Sequence, residues 1–220
     1  MGKGRLEAFS DGVMAIIITI MVLEVKTPEG GTLQALRPLI PTLLAYLLSF
    51  IYVGIYWNNH HHLLQACKRI SGSVLWANLH LLFWLSLLPF ATRWMDDYYL
   101  LPLPTAAYGC VLLAAAIAYA FLQQRIVAAE GRESTLREVL GRDWKGKLSP
   151  LLYLTGIVVS FVQVHVAQAI YVGVALMWLI PDRRIERGLA VDPPAPDPGR
   201  QARAIMRRPG HWQRHERHPR

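Results

Sequence analysis

"RLEAFSDGVMAIIITIMVLE", residues 5 to 24, decides how this chain folds. Its second half is apolar enough to enter a membrane, whereas its first half carries Arg5, Glu7, Ser10 and Asp11. A helix capped at Ser10 or Asp11 would run from Gly12 to Val25 and reach only about 21 Å. The hydrocarbon layer is about 30 Å thick. A helix begun at Arg5 reaches about 31 Å. Length therefore predicts that the polar residues lie inside the helix, with Ser10 and Asp11 below the membrane surface.

A carboxylate at that depth costs about 2.5–3.5 kcal/mol on insertion scales unless it faces protein or water. At about 100° per residue, Ile16, Ile20 and Leu23 fall within about 60° of one another. Phe9 and Gly12 continue that stripe, and Thr19 lies on its edge. Asp11 falls about 140° from Ile16 at the same increment, so it is expected as a buried acid on the opposite face. Its candidate partners are Arg5, Trp57, the "NNHHH" run at 58–62, Asn78 and His80. His60, His61 and His62 end the second apolar run on the same side as Asp11, and Asn78 and His80 sit near that side in the third. Depth alone predicts a polar cluster joining three helices.

The rest of the chain supports a membrane setting. It has 220 residues, 53% hydrophobic and only 17% charged. Apolar runs recur near 12–25, 39–57, 74–92, 103–122 and 148–181, and runs of about 18 or more apolar residues read as spans. The last is about twice that length and is interrupted by "QVHVAQ" at 163–168, so it reads as two short spans. The prediction is one all-α integral membrane domain of six transmembrane helices over residues 1–185. Residues 186–220, rich in Pro and Arg, have too few large apolar side chains to fold and are expected to form a disordered, solvated cytoplasmic tail.

Charge orients the spans. Lys3 and Arg5 precede the first, and Lys68 and Arg69 lie between the second and third. Arg125, Arg132, Arg137, Arg142, Lys145 and Lys147 lie between the fourth and fifth, and Arg183, Arg184 and Arg187 follow the sixth. The alternate connections hold few: Lys26 and Arg37, then Arg93 beside Asp96 and Asp97. Cytoplasmic loops collect Lys and Arg, so both termini are expected in the cytoplasm and the protein in the inner (plasma) membrane. The formal charge of +8 then reflects topology and calls for no nucleic acid. Cys67 and Cys110 give no disulfide framework and are expected as free thiols. "LEVKTPEGG" after the first run lacks a small-residue cleavage pattern, and position 6 is not Ser or Thr, which argues against myristoylation.

Here a resemblance enters. "RLEAFSDG" (5–12) matches the R-x-x-x-F-S-D signature of the lysosomal potassium channel family, and the chain resembles its bacterial members. "AIIITIMVLE" (15–24), "YWNNHH" (56–61), "LLPF" (87–90) and "WLIPDRRI" (178–185) follow in order, covering nearly the whole membrane part. The resemblance implies a homotetramer in which four copies of the first helix surround a central path for potassium and other monovalent cations. Carried onto this chain, it puts Ile16 at the narrowest apolar ring, Ile20 and Leu23 one and two turns further along, and Thr19 at an adjoining hydroxyl ring. Arg5, Phe9, Ser10, Asp11, Trp57, His60, His61, Asn78 and His80 are then expected to anchor the back of that helix. No cofactor is implied beyond permeant potassium, and the other partners are the protein itself and membrane lipid.

There is no T-V-G-Y-G loop, hence no carbonyl filter of the ordinary potassium-channel kind. An apolar ring of this sort gates by dewetting, and selectivity would rest on the ease of shedding water, with Thr19 hydroxyls as partial substitutes. Thr19 has a plain alternative, a bond back to the Ala15 carbonyl. Protonation of a histidine in the anchoring cluster is a further expected influence on conduction.

Other classes fit less well. A membrane di-iron enzyme needs several histidine clusters; beyond 60–62 the membrane part holds only His80 and His165, and consecutive helical residues point about 100° apart. A proton-coupled secondary transporter would need matched helix interruptions in two halves; Gly54, Pro89, Gly109, Gly156 and Gly173 form no such match. A non-conducting adaptor using the basic tail would carry no flux.

Overall fold

A computed structural model describes residues 2–65, 67, 70–130 and 144–180. Helix α1, Lys3–Leu23, begins two residues ahead of Arg5, so the polar segment is helical throughout. A 3₁₀ turn, Leu33–Leu39, leads into α2, Ile40–Gln65. Then come α3, Gly72–Ser86, and α4, Leu88–Asp97. They are followed by α5, Pro102–Glu130, α6, Trp144–Ser160, and α7, Val164–Leu179.

Four of these stretches are long and apolar enough to cross a membrane: Lys3–Leu23, Leu33–Gln65, Gly72–Asp97 and Pro102–Ala129. The helices α6 and α7, of 17 and 16 residues, are shorter. They are separated at residues 161–163, so of the predicted "QVHVAQ" break at 163–168 only Gln163 lies outside a helix. The third stretch departs from expectation. "LLPF" does not end it; Pro89 occupies the first turn of α4, where its missing N–H costs nothing. The chain therefore bends at Leu87 and continues to Asp97. Arg93, Asp96 and Asp97, expected in a connecting loop, belong to that helix. The segment 186–220, expected as a disordered tail, lies outside the described residues.

Side chains clamp the helix ends in alternating order. Lys3 Nζ donates to Gln65 O at 2.8 Å, joining the start of α1 to the end of α2. At the other end Arg93 Nη1 donates to Glu24 O and Nε to Asp97 Oδ2, both at 2.7 Å. Gln168 Nε2 donates to Tyr99 O at 2.8 Å. Cations suit the exposed carbonyls at helix C-termini. Lys145, buried, does the same for α7 by donating to Ile180 O at 2.8 Å.

The core between α2, α5, α6 and α7 is built on tyrosines. Tyr52, Tyr108, Tyr153 and Tyr171 are buried, with rings in mutual contact. Gly156 makes room: a Cβ there would stand 2.5 Å from Tyr171 Cε1. A hydroxyl without a partner is expensive in such surroundings. Tyr52 accordingly donates to Tyr171 O at 2.6 Å, and Tyr108 meets Ser49 Oγ at 3.0 Å.

Candidate functional site: the two faces of the first helix

Helix α1 packs against α2, α3 and α4. The face it turns to them is Leu6, Ser10, Met14, Ile17 and Met21, all buried. That i, i+4, i+8, i+11, i+15 spacing is one helical stripe. The opposite face holds Phe9, Gly12, Ile16, Thr19, Ile20 and Leu23, all exposed in the single chain. Ile16 is 58% exposed, Ile20 42% and Leu23 83%.

The buried face is polar at one level. Ser10 donates to Leu6 O at 2.9 Å and accepts from Asn78 Nδ2 at 3.0 Å. The amide oxygen of Asn78 meets His60 Nε2 at 2.6 Å. Because the amide nitrogen is committed to Ser10, that oxygen can only accept, so His60 Nε2 carries the proton. Ser10, His60 and Asn78 are all buried, and the chain of bonds ties α1 to α3 and α3 to α2. Among the described residues no buried side-chain nitrogen or oxygen lacks a partner.

Asp11 stands apart from this network. It is exposed, and its Oδ1 accepts from Trp57 Nε1 at 2.9 Å. Trp57 in turn stacks on His61, whose Nε2 lies 2.9 Å from Gln65 Nε2. The expected buried acid is thus corrected: Ser10 takes the inward position, and Asp11, one residue or about 100° further round, is left on the flank. Arg5 is exposed as well, and among the described residues no hydrogen bond or ion pair joins it to Asp11. His80 is not in the cluster either. It lies exposed on the outer side of α3, accepting from Trp84 Nε1 at 2.9 Å. Asn78 and His80 share a depth but sit about 200° apart around the helix, so only one of them can face α1.

Thr19 bonds within its own helix, but to Ile16 O at 2.9 Å rather than to the Ala15 carbonyl. Its single proton is spent there, and its lone pairs are left for something outside the chain. Of the three consecutive histidines, His60 turns to Asn78 and His61 to Trp57, while the His62 ring meets that of His61 edge to face at 5.7 Å. What sequence reasoning missed were the clamps Lys3, Arg93 and Lys145 and the buried tyrosines. The i, i+4 pairs Lys3–Glu7 and Arg93–Asp97 are the visible signals among them.

Several apolar helices of spanning length, with the first held by polar bonds on one face and left apolar on the other, define a multi-pass membrane protein. The family model "Endosomal/lysosomal potassium channel TMEM175" matches residues 5–89. A potassium channel of Chryseobacterium sp. is 56% identical over 189 residues, which cover 86% of this chain and 98% of that one. The crystal structure of a lysosomal potassium-selective TMEM175 homologue from Chamaesiphon minutus matches with a TM-score of 0.72 at 29% identity. That match covers 81% of this chain and 96% of the other. The chicken endosomal/lysosomal proton channel TMEM175 is 31% identical over 110 residues, 44% of this chain and 22% of its own length. This chain belongs to the TMEM175 family, a family of channels rather than enzymes.

Proposed function

We propose that this protein is a potassium-permeable cation channel, a homotetramer of six-span subunits in which four copies of α1 surround the pore. The observation that carries the reading is the division of α1. Its buried stripe is fixed to α2, α3 and α4, while Ile16, Thr19, Ile20 and Leu23 are presented outward and exposed among the described residues. Four such ridges meeting on an axis would make a path walled by hydrocarbon, narrowest at Ile16. Likeness to potassium channels over most of the chain supports the same reading.

Gating then follows from wetting. A narrow apolar ring excludes water and therefore ions, and a small widening readmits both. Potassium passes such a ring more readily than the smaller sodium because it sheds water more easily, and the free lone pairs of Thr19 offer partial replacement. Discrimination from so few oxygens should be modest. The Ser10–Asn78–His60 chain and the Asp11–Trp57 bond hold the back of α1, so that its front keeps one register. Both termini on the cytoplasmic side of the plasma membrane fit the placement of Lys and Arg.

The test is electrical recording from purified protein in opposed potassium and sodium gradients. The expected current is passive and reverses near the potassium potential. Ile16→Asn should raise leak about tenfold or more and erase the preference. Saturable flux coupled to protons, or a reversal potential that follows pH instead of potassium, would contradict the proposal.

A further inference from the structure

His80 is the polar residue that the pore does not absorb, and its surroundings form a site of their own. Measured from Gly72, where α3 begins, His80 lies about 12 Å along the helix. Phe121 lies at a similar depth in α5, counted back from the end of that helix. The two rings meet edge to face at 6.3 Å. Trp84 completes the inner wall, with its ring 6.3 Å from His80 and its indole N–H given to His80 Nε2. An indole only donates, so His80 Nε2 is the unprotonated nitrogen and Nδ1 carries the hydrogen. Among the described residues Nδ1 has no hydrogen-bond partner, although the ring is exposed on the side of the protein that faces away from its core.

Nearer the helix ends stands Arg125, about a turn and a half from the end of α5. Its guanidinium lies over the Phe121 ring, 4.5 Å from the centroid, and among the described residues it makes no ion pair. Trp76, 75% exposed, sits at comparable depth on α3. An exposed Trp at the depth of an Arg that makes no ion pair among the described residues, a turn or so inside the helix ends, is what membranes select where protein meets headgroups. A histidine N–H below them, at ester depth, is a cost unless something accepts from it.

We propose that the groove between α3 and α5, walled by Trp76, His80, Trp84, Phe121 and Arg125, binds an anionic phospholipid. The Arg125 guanidinium takes the phosphate, held flat and forward by Phe121, and a guanidinium is the side chain best matched to two phosphate oxygens. His80 Nδ1 donates to an ester carbonyl of the same lipid. Phe83, exposed further along α3, continues the wall toward the acyl chains. A net negative headgroup is specified because among the described residues the cation has no carboxylate to neutralise. The site lies at the end of the molecule where α1 starts, which positive-inside placement makes the cytoplasmic leaflet, the one richer in acidic lipid.

The experiment is native mass spectrometry of the full-length protein in detergent, titrated with phosphatidylglycerol or with phosphatidylcholine of the same chains. The wild type should retain phosphatidylglycerol several-fold better. Arg125→Gln should lower that retention about tenfold and Arg125→Lys less, while His80→Phe should lower it about threefold without changing the charge. Lys26→Gln, an exposed cation at the other end of the molecule, should leave it unchanged. Circular dichroism and elution volume matching the wild type show that each variant is folded and assembled. Equal retention of the two lipids, or wild-type retention by folded Arg125→Gln, would overturn the proposal. Displacement of the lipid by millimolar glycerophosphate would overturn it too, by showing a site for small anions. So would loss of subunit association with lipid binding intact, which would make the groove a contact between copies of the chain.

Discussion

Ile16 and Ile17 are neighbours in sequence with the same side chain, yet one is 58% exposed and the other 2%. The difference lies in what surrounds them. Ile17 belongs to a stripe sealed by α2, α3 and α4, with Ser10 at its polar level bonded through Asn78 to His60. Ile16 belongs to a stripe that stays exposed among the described residues. In a soluble protein an exposed aliphatic ridge is a liability; in a membrane it is neutral until it finds lipid or copies of itself. The inner face therefore carries stability, and the outer face is free to carry conduction.

Substitutions that separate the two faces test that division, and the largest effect belongs to the inner one. Ile17→Ala removes fully buried volume and should cost about 3 kcal/mol, seen as a lower midpoint in thermal unfolding. Ile16→Ala should change stability by less than about 0.5 kcal/mol while altering conductance. Equal destabilisation by the two would erase the distinction. Asn78→Leu comes next. It leaves His60 Nε2–H buried without an acceptor and should cost about 2 kcal/mol; an unchanged midpoint would mean the amide bridge contributes nothing to holding α1. Smaller again, Arg93→Gln loses the clamp on Glu24 O at the far end of α1 and should cost about 1 kcal/mol. Its mark should be a looser outer end of the helix, read as faster amide exchange around Val22–Glu24 than around Met14.

Much of this arrangement was legible in the sequence because one number, 1.5 Å per residue, decides whether the polar residues 5–11 belong to the helix. Angular spacing likewise separated Ile16, Ile20 and Leu23 from the other face. The anchoring side was harder to read. Depth alone groups His80 with Asn78 in the third helix, although two residues turn a helix by about 200°. Depth and angle point to Asp11 as the inward polar residue, but a charged carboxylate is costly to bury; Ser10, small enough to pack and able both to donate and to accept, fills that place. The bend at Leu87 was hidden because Pro89 reads as a stop when it is equally at home in a first turn. Nothing local announces that Tyr171 will be seated against Gly156, since that contact joins separate helices.

The claim that the outer face of α1 lines the pore is tested most directly by thiol accessibility during conduction. In a chain with Cys67 and Cys110 replaced by serine, single cysteines are placed at 16, 17, 20 and 23, and current is followed as silver or a small cationic thiol reagent is added. Block at 16, 20 and 23 with none at 17 is the result expected. Current that persists at 16 and 20, or block at 17 alone, would contradict it.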